Sequence, residues 1–156
     1  MSRAIPAAFL FAALVLAGCV PTSRALPEGV VETDVPRGAT AVVVESSRTS
    51  GDLYRALYQH LASQGYPVVQ ESAEGGTLAT GPVEREMATA VAIRLFVEDA
   101  PSGSRATLWA KWGVAGDALE DMYDAEWKPN NRAGVAFGHA IRAAESVGGE
   151  VSYRTP

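Results

Sequence analysis

The chain has 156 residues, a formal charge of −5 and one cysteine. This length suits one domain of ordinary size and leaves little room for a second. The acidic balance argues against nucleic acid as a partner, because phosphate contacts need clustered Lys and Arg side chains. With a single cysteine the chain can form no internal disulfide, so the domain depends on its apolar core.

The N-terminus is predicted to be a signal peptide that is removed. Arg3 precedes a mostly apolar, uncharged run over residues 4–18, the pattern of a secretory signal. A permanent span needs about 20 apolar residues, so the run is marginal for that role. An uncleaved anchor and cleavage by the ordinary signal peptidase are the alternatives. Loss of residues 1–18 takes Arg3 with it, which changes the charge from −5 to −6 and leaves 138 of the 156 residues.

The run ends in Leu16-Ala17-Gly18-Cys19, which contains the lone cysteine. This tetrapeptide closely resembles the bacterial lipobox, in which an apolar residue and two small residues precede a cysteine. The resemblance implies cleavage between Gly18 and Cys19 and acylation of Cys19 as the first residue of the mature protein. Two or three acyl chains would anchor the protein stably, since each buried methylene contributes about 0.8 kcal/mol.

The same resemblance implies a bacterial envelope lipoprotein that contacts membrane lipid through Cys19. Val20 stands where the enterobacterial sorting rule places Asp in lipoproteins of the inner membrane. In an organism that uses this rule, we expect the periplasmic face of the outer membrane. Residues 19–38 contain three prolines and no sustained periodicity, which predicts a lipidated tether. The alternative is an irregular segment that packs along the domain.

A single α+β domain is predicted over residues 39–149, followed by a tail, or at most an added edge strand, over residues 150–156. Helices are predicted over about residues 51–64, where leucines recur at spacing four, and over about residues 130–148. Strands are predicted at residues 39–45, 68–71, 77–83, 89–98 and 105–114. The order β-α-β-β-β-β-α favours a two-layer sandwich with both helices on one face of a mostly antiparallel sheet.

Lipobox, tether and element order together resemble the helix-grip-like outer-membrane assembly lipoproteins. That resemblance implies a binding or assembly role for the domain. It rests on these features alone and assigns a role to no residue.

The sequence predicts no catalytic, cofactor or metal site. His60 and His139 are the only histidines, and each falls inside a predicted helix, where a surface or boundary position is favoured over a catalytic one. Cys19 is assigned to lipid. No nucleophile elbow, phosphate loop or metal-ligand spacing is present in the sequence. We therefore expect a protein without enzymatic activity.

The most informative surface is the second face of the two longest predicted strands. Alternation places Arg94 and Phe96 on one strand and Trp109 and Lys111 on the next, all on one side. Exposed aromatic and Arg side chains dominate interface energetics, so this face suits a protein or glycan partner. The alternative is that the tether, the acidic segment or the tail covers it.

The acidic segment, residues 116–128, is predicted to be either a short helix or an irregular excursion that ends at Pro129. Its carboxylates are Asp117, Glu120, Asp121, Asp124 and Glu126. Their spacing lacks the order of a calcium loop, so a solvated acidic face is favoured over a metal site.

Taken together, these features predict a non-enzymatic, lipid-anchored lipoprotein that binds another envelope component. The alternative is a periplasmic domain that binds a small ligand or metal through the acidic segment.

Overall fold

The computed structural model describes residues 35–156. The predicted signal peptide, the lipobox with Cys19 and most of the predicted tether lie outside the described residues. The described part begins at Val35, whose side chain is buried in the hydrophobic core. At its last residues, the segment predicted as a tether therefore contacts the domain.

Helix α1 spans Ser50–Ser63, and Thr49 caps its N-terminus. The Thr49 hydroxyl accepts a hydrogen bond from the backbone N–H of Asp52 at 3.2 Å, which satisfies one unpaired donor of the first turn. The buried leucines of the helix are Leu53, Leu57 and Leu61. Because residues four apart share one side of a helix, α1 presents a single apolar stripe to the core.

Helix α2 spans Arg132–Ser146 and contains two glycines, Gly134 and Gly138, which lower its intrinsic helix propensity. Gly134 has a packing reason, since a Cβ atom there would clash with the backbone carbonyl oxygen of Lys128. The N–H of Gly134 also donates to the side chain of Asn131 at 2.8 Å, which caps the helix. The first turn of α2 therefore lies directly against the chain that precedes it.

Eight strands form one sheet within the described residues. They are β1 Ala41–Ser46, β2 Val68–Ser72, β3 Thr77–Thr80, β4 Val83–Arg85, β5 Thr89–Ala100, β6 Gly103–Val114, β7 Tyr123–Asp124 and β8 Glu150–Arg154. The main order is β2-β3-β5-β6-β1-β8, with β4 also paired to β5 and β7 to β6, and every pairing is antiparallel. The prediction of an α+β protein with a mostly antiparallel sheet is confirmed.

The strand order along the chain differs from the prediction in three places. The strand predicted at residues 77–83 is divided into two strands, β3 and β4. The strand is interrupted at Pro82, because proline has no backbone N–H to donate to the sheet. Both pieces still pair with β5. Strand β7 was not predicted. The tail is instead edge strand β8, which pairs with β1 because its alternate residues Val151 and Tyr153 pack against the core.

One hydrophobic cluster joins the two helices to the sheet. It contains the leucines of α1, Phe137 and Ile141 of α2, and alternate residues of the long strands, such as Ile93 and Leu108. The intervening residues of β5 and β6 point to the other side of the sheet, which is called the outer face below. They include Ala92, Arg94, Phe96, Thr107, Trp109 and Lys111.

The acidic segment is an irregular excursion with a single 3₁₀ turn at Leu119–Asp121, so the helix alternative does not hold. Its chain returns to the domain through backbone hydrogen bonds that include those from Ala125 N–H to the Ala110 carbonyl at 2.9 Å and from Trp127 N–H to the Ala39 carbonyl at 2.7 Å. The Trp127 side chain is only 2% exposed.

Neither helix in residues 35–156 combines the length and the apolar character that crossing a membrane would require.

Candidate functional site

The four residues predicted as an interaction surface lie together on the outer face. Arg94 pairs directly with Trp109 in the register of β5 with β6. Phe96 is two residues farther along β5, and Lys111 is two residues farther along β6. Because the strands are antiparallel, Phe96 and Lys111 lie on opposite sides of the Arg94–Trp109 pair.

A hollow of about 420 Å³ opens on this face, and we call it the outer hollow. Its lining includes Gln70, Thr77, Ala79, Arg94, Phe96 and Trp109. Ala79 of β3 stands opposite Arg94 of β5, and its short side chain leaves the space above it open. Phe96 at the rim remains 37% exposed. The outer hollow therefore offers an apolar floor and two aromatic walls to a second molecule.

Arg94 gives the outer hollow its charge. Its side chain is exposed and has no hydrogen bond or ion pair with any other residue in the described part of the chain. Arg105, farther along the same face, is instead neutralised by Glu45 at 2.7 Å and lies 3.6 Å from Glu98. In an otherwise acidic protein, the outer hollow is thus a cationic spot that suits a carboxylate or another anion.

The acidic segment covers only one end of the outer face. Leu119 and Met122 pack against Ala90 and Ala92 in a small cluster of their own, and the backbone carbonyl of Leu119 lies 3.5 Å from the Lys111 ammonium. Strand β8 extends the sheet at its edge and does not cross the face. Within residues 35–156, Lys111 therefore belongs to the covered end, whereas Arg94, Phe96 and Trp109 line the open part.

The carboxylates of the acidic segment do not converge. In residues 35–156, no group of three or more His, Cys, Asp or Glu side chains is arranged to hold a metal ion. Asp117 accepts a hydrogen bond from the Val114 N–H at 2.7 Å and closes a turn, and Glu126 lies 3.1 Å from the Lys128 ammonium.

A polar cluster around His139 has no counterpart in the sequence-based predictions. The His139 Nε2 lies 3.2 Å from a Glu86 carboxylate oxygen. The Arg142 Nη2 lies 3.0 Å from Nδ1 and 2.9 Å from Nε2 of the same ring. Tyr66 meets the imidazole edge-on, and Arg85 stacks over the Tyr66 ring at 4.6 Å. Glu86 and His139 are 53 residues apart, so no local pattern in the sequence joins them.

The contact with Glu86 fits a neutral imidazole whose Nε2–H donates to the carboxylate. Burial, and then the positive charge of Arg142, lower the pKa of His139 from 6.5 to about 4. The ring is therefore a fixed hydrogen-bonding element near neutral pH.

This histidine makes the stability of the domain depend on pH. The unfolded chain binds a proton at His139 near pH 6.5 and the folded chain only near pH 4, so the unfolded state gains protons first as the pH falls. We expect the free energy of unfolding to drop by about 2 kcal/mol between pH 7 and pH 5 from this residue. Urea unfolding of the wild type and of His139→Gln at both pH values measures it, and an equal drop in the two proteins would refute the assignment.

A scan against models of protein families finds no match to this chain, and a search of curated proteins finds no similar sequence. The site consists of an open hollow on one side of an antiparallel sheet, lined by the unpaired Arg94 together with Phe96 and Trp109.

Proposed function

We propose that this chain is a non-enzymatic envelope lipoprotein that binds another envelope protein through the outer face of its sheet. Lipid on Cys19 holds it at the periplasmic face of the outer membrane. The lipobox resemblance at residues 16–19 supports the anchor, and the outer hollow supports the binding role.

In this proposal both helices cover one side of the sheet and leave the other side to the partner. The shared cluster of α1, α2 and alternate strand residues supports that arrangement. The partner then meets a surface built on two long strands, β5 and β6, that pair over their full length. A surface on paired strands needs little rearrangement on binding.

The observation that carries the proposal is the combination of exposed Phe96, half-buried Trp109 and unpaired Arg94 in one hollow. Aromatic and Arg side chains supply most of the binding energy in protein interfaces, each hot-spot residue contributing about 2 kcal/mol or more. The guanidinium can bind a carboxylate in bidentate fashion while the rings contact an apolar side chain. The matching partner surface therefore presents an apolar residue beside an acidic one.

The test is site-specific cross-linking in intact cells. A photoreactive amino acid at position 96 is expected to give one cross-linked envelope protein, and the same amino acid at position 59, which is exposed on helix α1, is the control. Arg94→Glu is expected to remove the position-96 product, because it places a negative charge opposite an acidic partner. For the purified pair, Phe96→Ala with Trp109→Ala is expected to weaken binding at least about 30-fold.

Two results contradict this proposal. One is an identical cross-linking pattern from positions 96 and 59, and the other is a position-96 product that survives Arg94→Glu. Thermal unfolding of each variant separates loss of binding from loss of fold.

A further inference from the structure

A second hollow lies where β7 meets the start of α2. This is the end of the acidic segment that is farther from the covered part of the outer face. It measures about 540 Å³, and we call it the end hollow. Its lining includes Trp112, Tyr123, Asp124, Glu126, Asn130 and Arg132. Three of these residues belong to the acidic segment, so the segment contributes to a cavity although it forms no metal site.

The wall of the end hollow is a pair of aromatic rings. Trp112 of β6 and Tyr123 of β7 are direct partners in the strand register, and their ring centroids are 5.3 Å apart. Tyr123 is 64% exposed, which is unusual for a large aromatic side chain. An exposed ring that is backed by a second ring forms a rigid apolar platform at low entropic cost.

Polar groups without partners surround this platform. The side chains of Asp124 and Asn130 make no hydrogen bond with other residues in the described part of the chain. Arg132 uses Nε to donate to the Met87 carbonyl at 3.3 Å, and its other N–H groups are not engaged there. Carboxylate, amide and guanidinium groups are planar and can each bind two adjacent hydroxyl groups.

The charges of the end hollow cancel. Asp124 and Glu126 are balanced by Lys128 and Arg132, and Glu126 and Lys128 already form an ion pair at 3.1 Å. A site without net charge gives no electrostatic preference for an anion or a cation. An aromatic platform with a neutral rim of hydroxyl-binding groups is what a sugar ring needs, since its C–H face is apolar and its edge carries hydroxyls.

The backbone of two lining residues has a positive φ angle. Met87 and Asn130 have φ angles of 60° and 62°. Residues other than glycine adopt this region uncommonly, although asparagine does so more readily than most.

We propose that the end hollow binds a neutral saccharide, with one sugar ring stacked on Tyr123 and its hydroxyl groups bound by Asp124, Asn130 and Arg132. This site is separate from the outer face, and its existence does not depend on the function proposed there.

The test uses the lipidated full-length protein in a detergent without a sugar headgroup. The probes are cellotetraose, maltotetraose and the tetramer of N-acetylglucosamine, and binding is followed by tryptophan fluorescence and by saturation-transfer NMR. At least one tetrasaccharide is expected to bind. Tyr123→Ala is expected to weaken its binding at least about tenfold, because the stacking platform is lost. Asp124→Asn is expected to weaken it less, because the amide still binds hydroxyls.

Val69→Ala, which trims a side chain that is 58% exposed and lies outside the end hollow, is the control and is expected to leave saccharide affinity unchanged. The proposal is overturned if none of the three tetrasaccharides binds, or if Tyr123→Ala binds as the wild type does. Tighter binding of inorganic phosphate than of any saccharide would also overturn it, because a neutral rim does not select an anion. Circular dichroism of each variant confirms that the domain is folded.

Discussion

Replacement of Cys19 by Ala is expected to abolish fatty-acid labelling of the protein and to leave an uncleaved or released form in place of the membrane-bound one. The reason is chemical, since the thioether to diacylglycerol needs the cysteine sulfur and cleavage at a lipobox follows lipid attachment. Without acyl chains, the protein loses the anchor that several buried chains provide. Radiolabelled palmitate, membrane fractionation and the mass of the product measure the effect.

Two further variants make this result specific. Ser2→Ala lies in the same signal segment and leaves the lipobox intact, so normal labelling is expected. Val20→Asp is expected to leave labelling unchanged and to shift the protein to the inner membrane in an organism that uses the enterobacterial sorting rule. Lipid labelling that persists in Cys19→Ala would refute the lipobox interpretation, and with it the anchoring part of the proposed function.

The faces of the two long strands could be predicted because their alternation runs over about ten residues each. When polar and apolar residues alternate over this length, only one assignment of residues to the two sides of the sheet is consistent with a buried face. The sequence therefore predicts Arg94, Phe96 and Trp109 on the same side, which is where the strand register has them. Strand β8 lacks such a signal. It is short, and its partner β1 lies more than a hundred residues earlier in the chain, so only tertiary pairing defines it.

The outer hollow itself could not be predicted from the residues that line its walls. It exists because the register of β3 with β5 places the short side chain of Ala79 opposite Arg94. A shift of that register by two residues would put Thr77 there instead and fill part of the space. Local alternation specifies which side of the sheet a residue takes, but it does not specify the residue opposite it on the next strand. The contact of His139 in α2 with Glu86 is likewise set by the tertiary packing and not by a local pattern.

Trp127→Ala is expected to destabilise the domain by about 3–5 kcal/mol, the usual cost of truncating a fully buried large aromatic side chain. Its ring is 2% exposed and lies 5.9 Å from the ring of Phe137 in α2. Its backbone N–H donates a hydrogen bond to the Ala39 carbonyl, and its backbone carbonyl accepts one from the Gly38 N–H. Urea unfolding followed by far-ultraviolet circular dichroism measures the loss without relying on tryptophan fluorescence.

Trp109→Ala is the matched control, because this side chain is half-buried on the outer face and its loss opens no cavity in the core. We expect it to cost less than about 1.5 kcal/mol. The comparison tests whether the acidic segment stabilises the domain. If Trp127→Ala lowers the free energy of unfolding more than Trp109→Ala does, the buried residues of the segment, Met122, Ala125 and Trp127, hold it against the domain. Its carboxylates then form the solvent-facing side of the segment. If Trp127→Ala costs as little as is expected for Trp109→Ala, the Trp127 side chain does not hold the segment to the core.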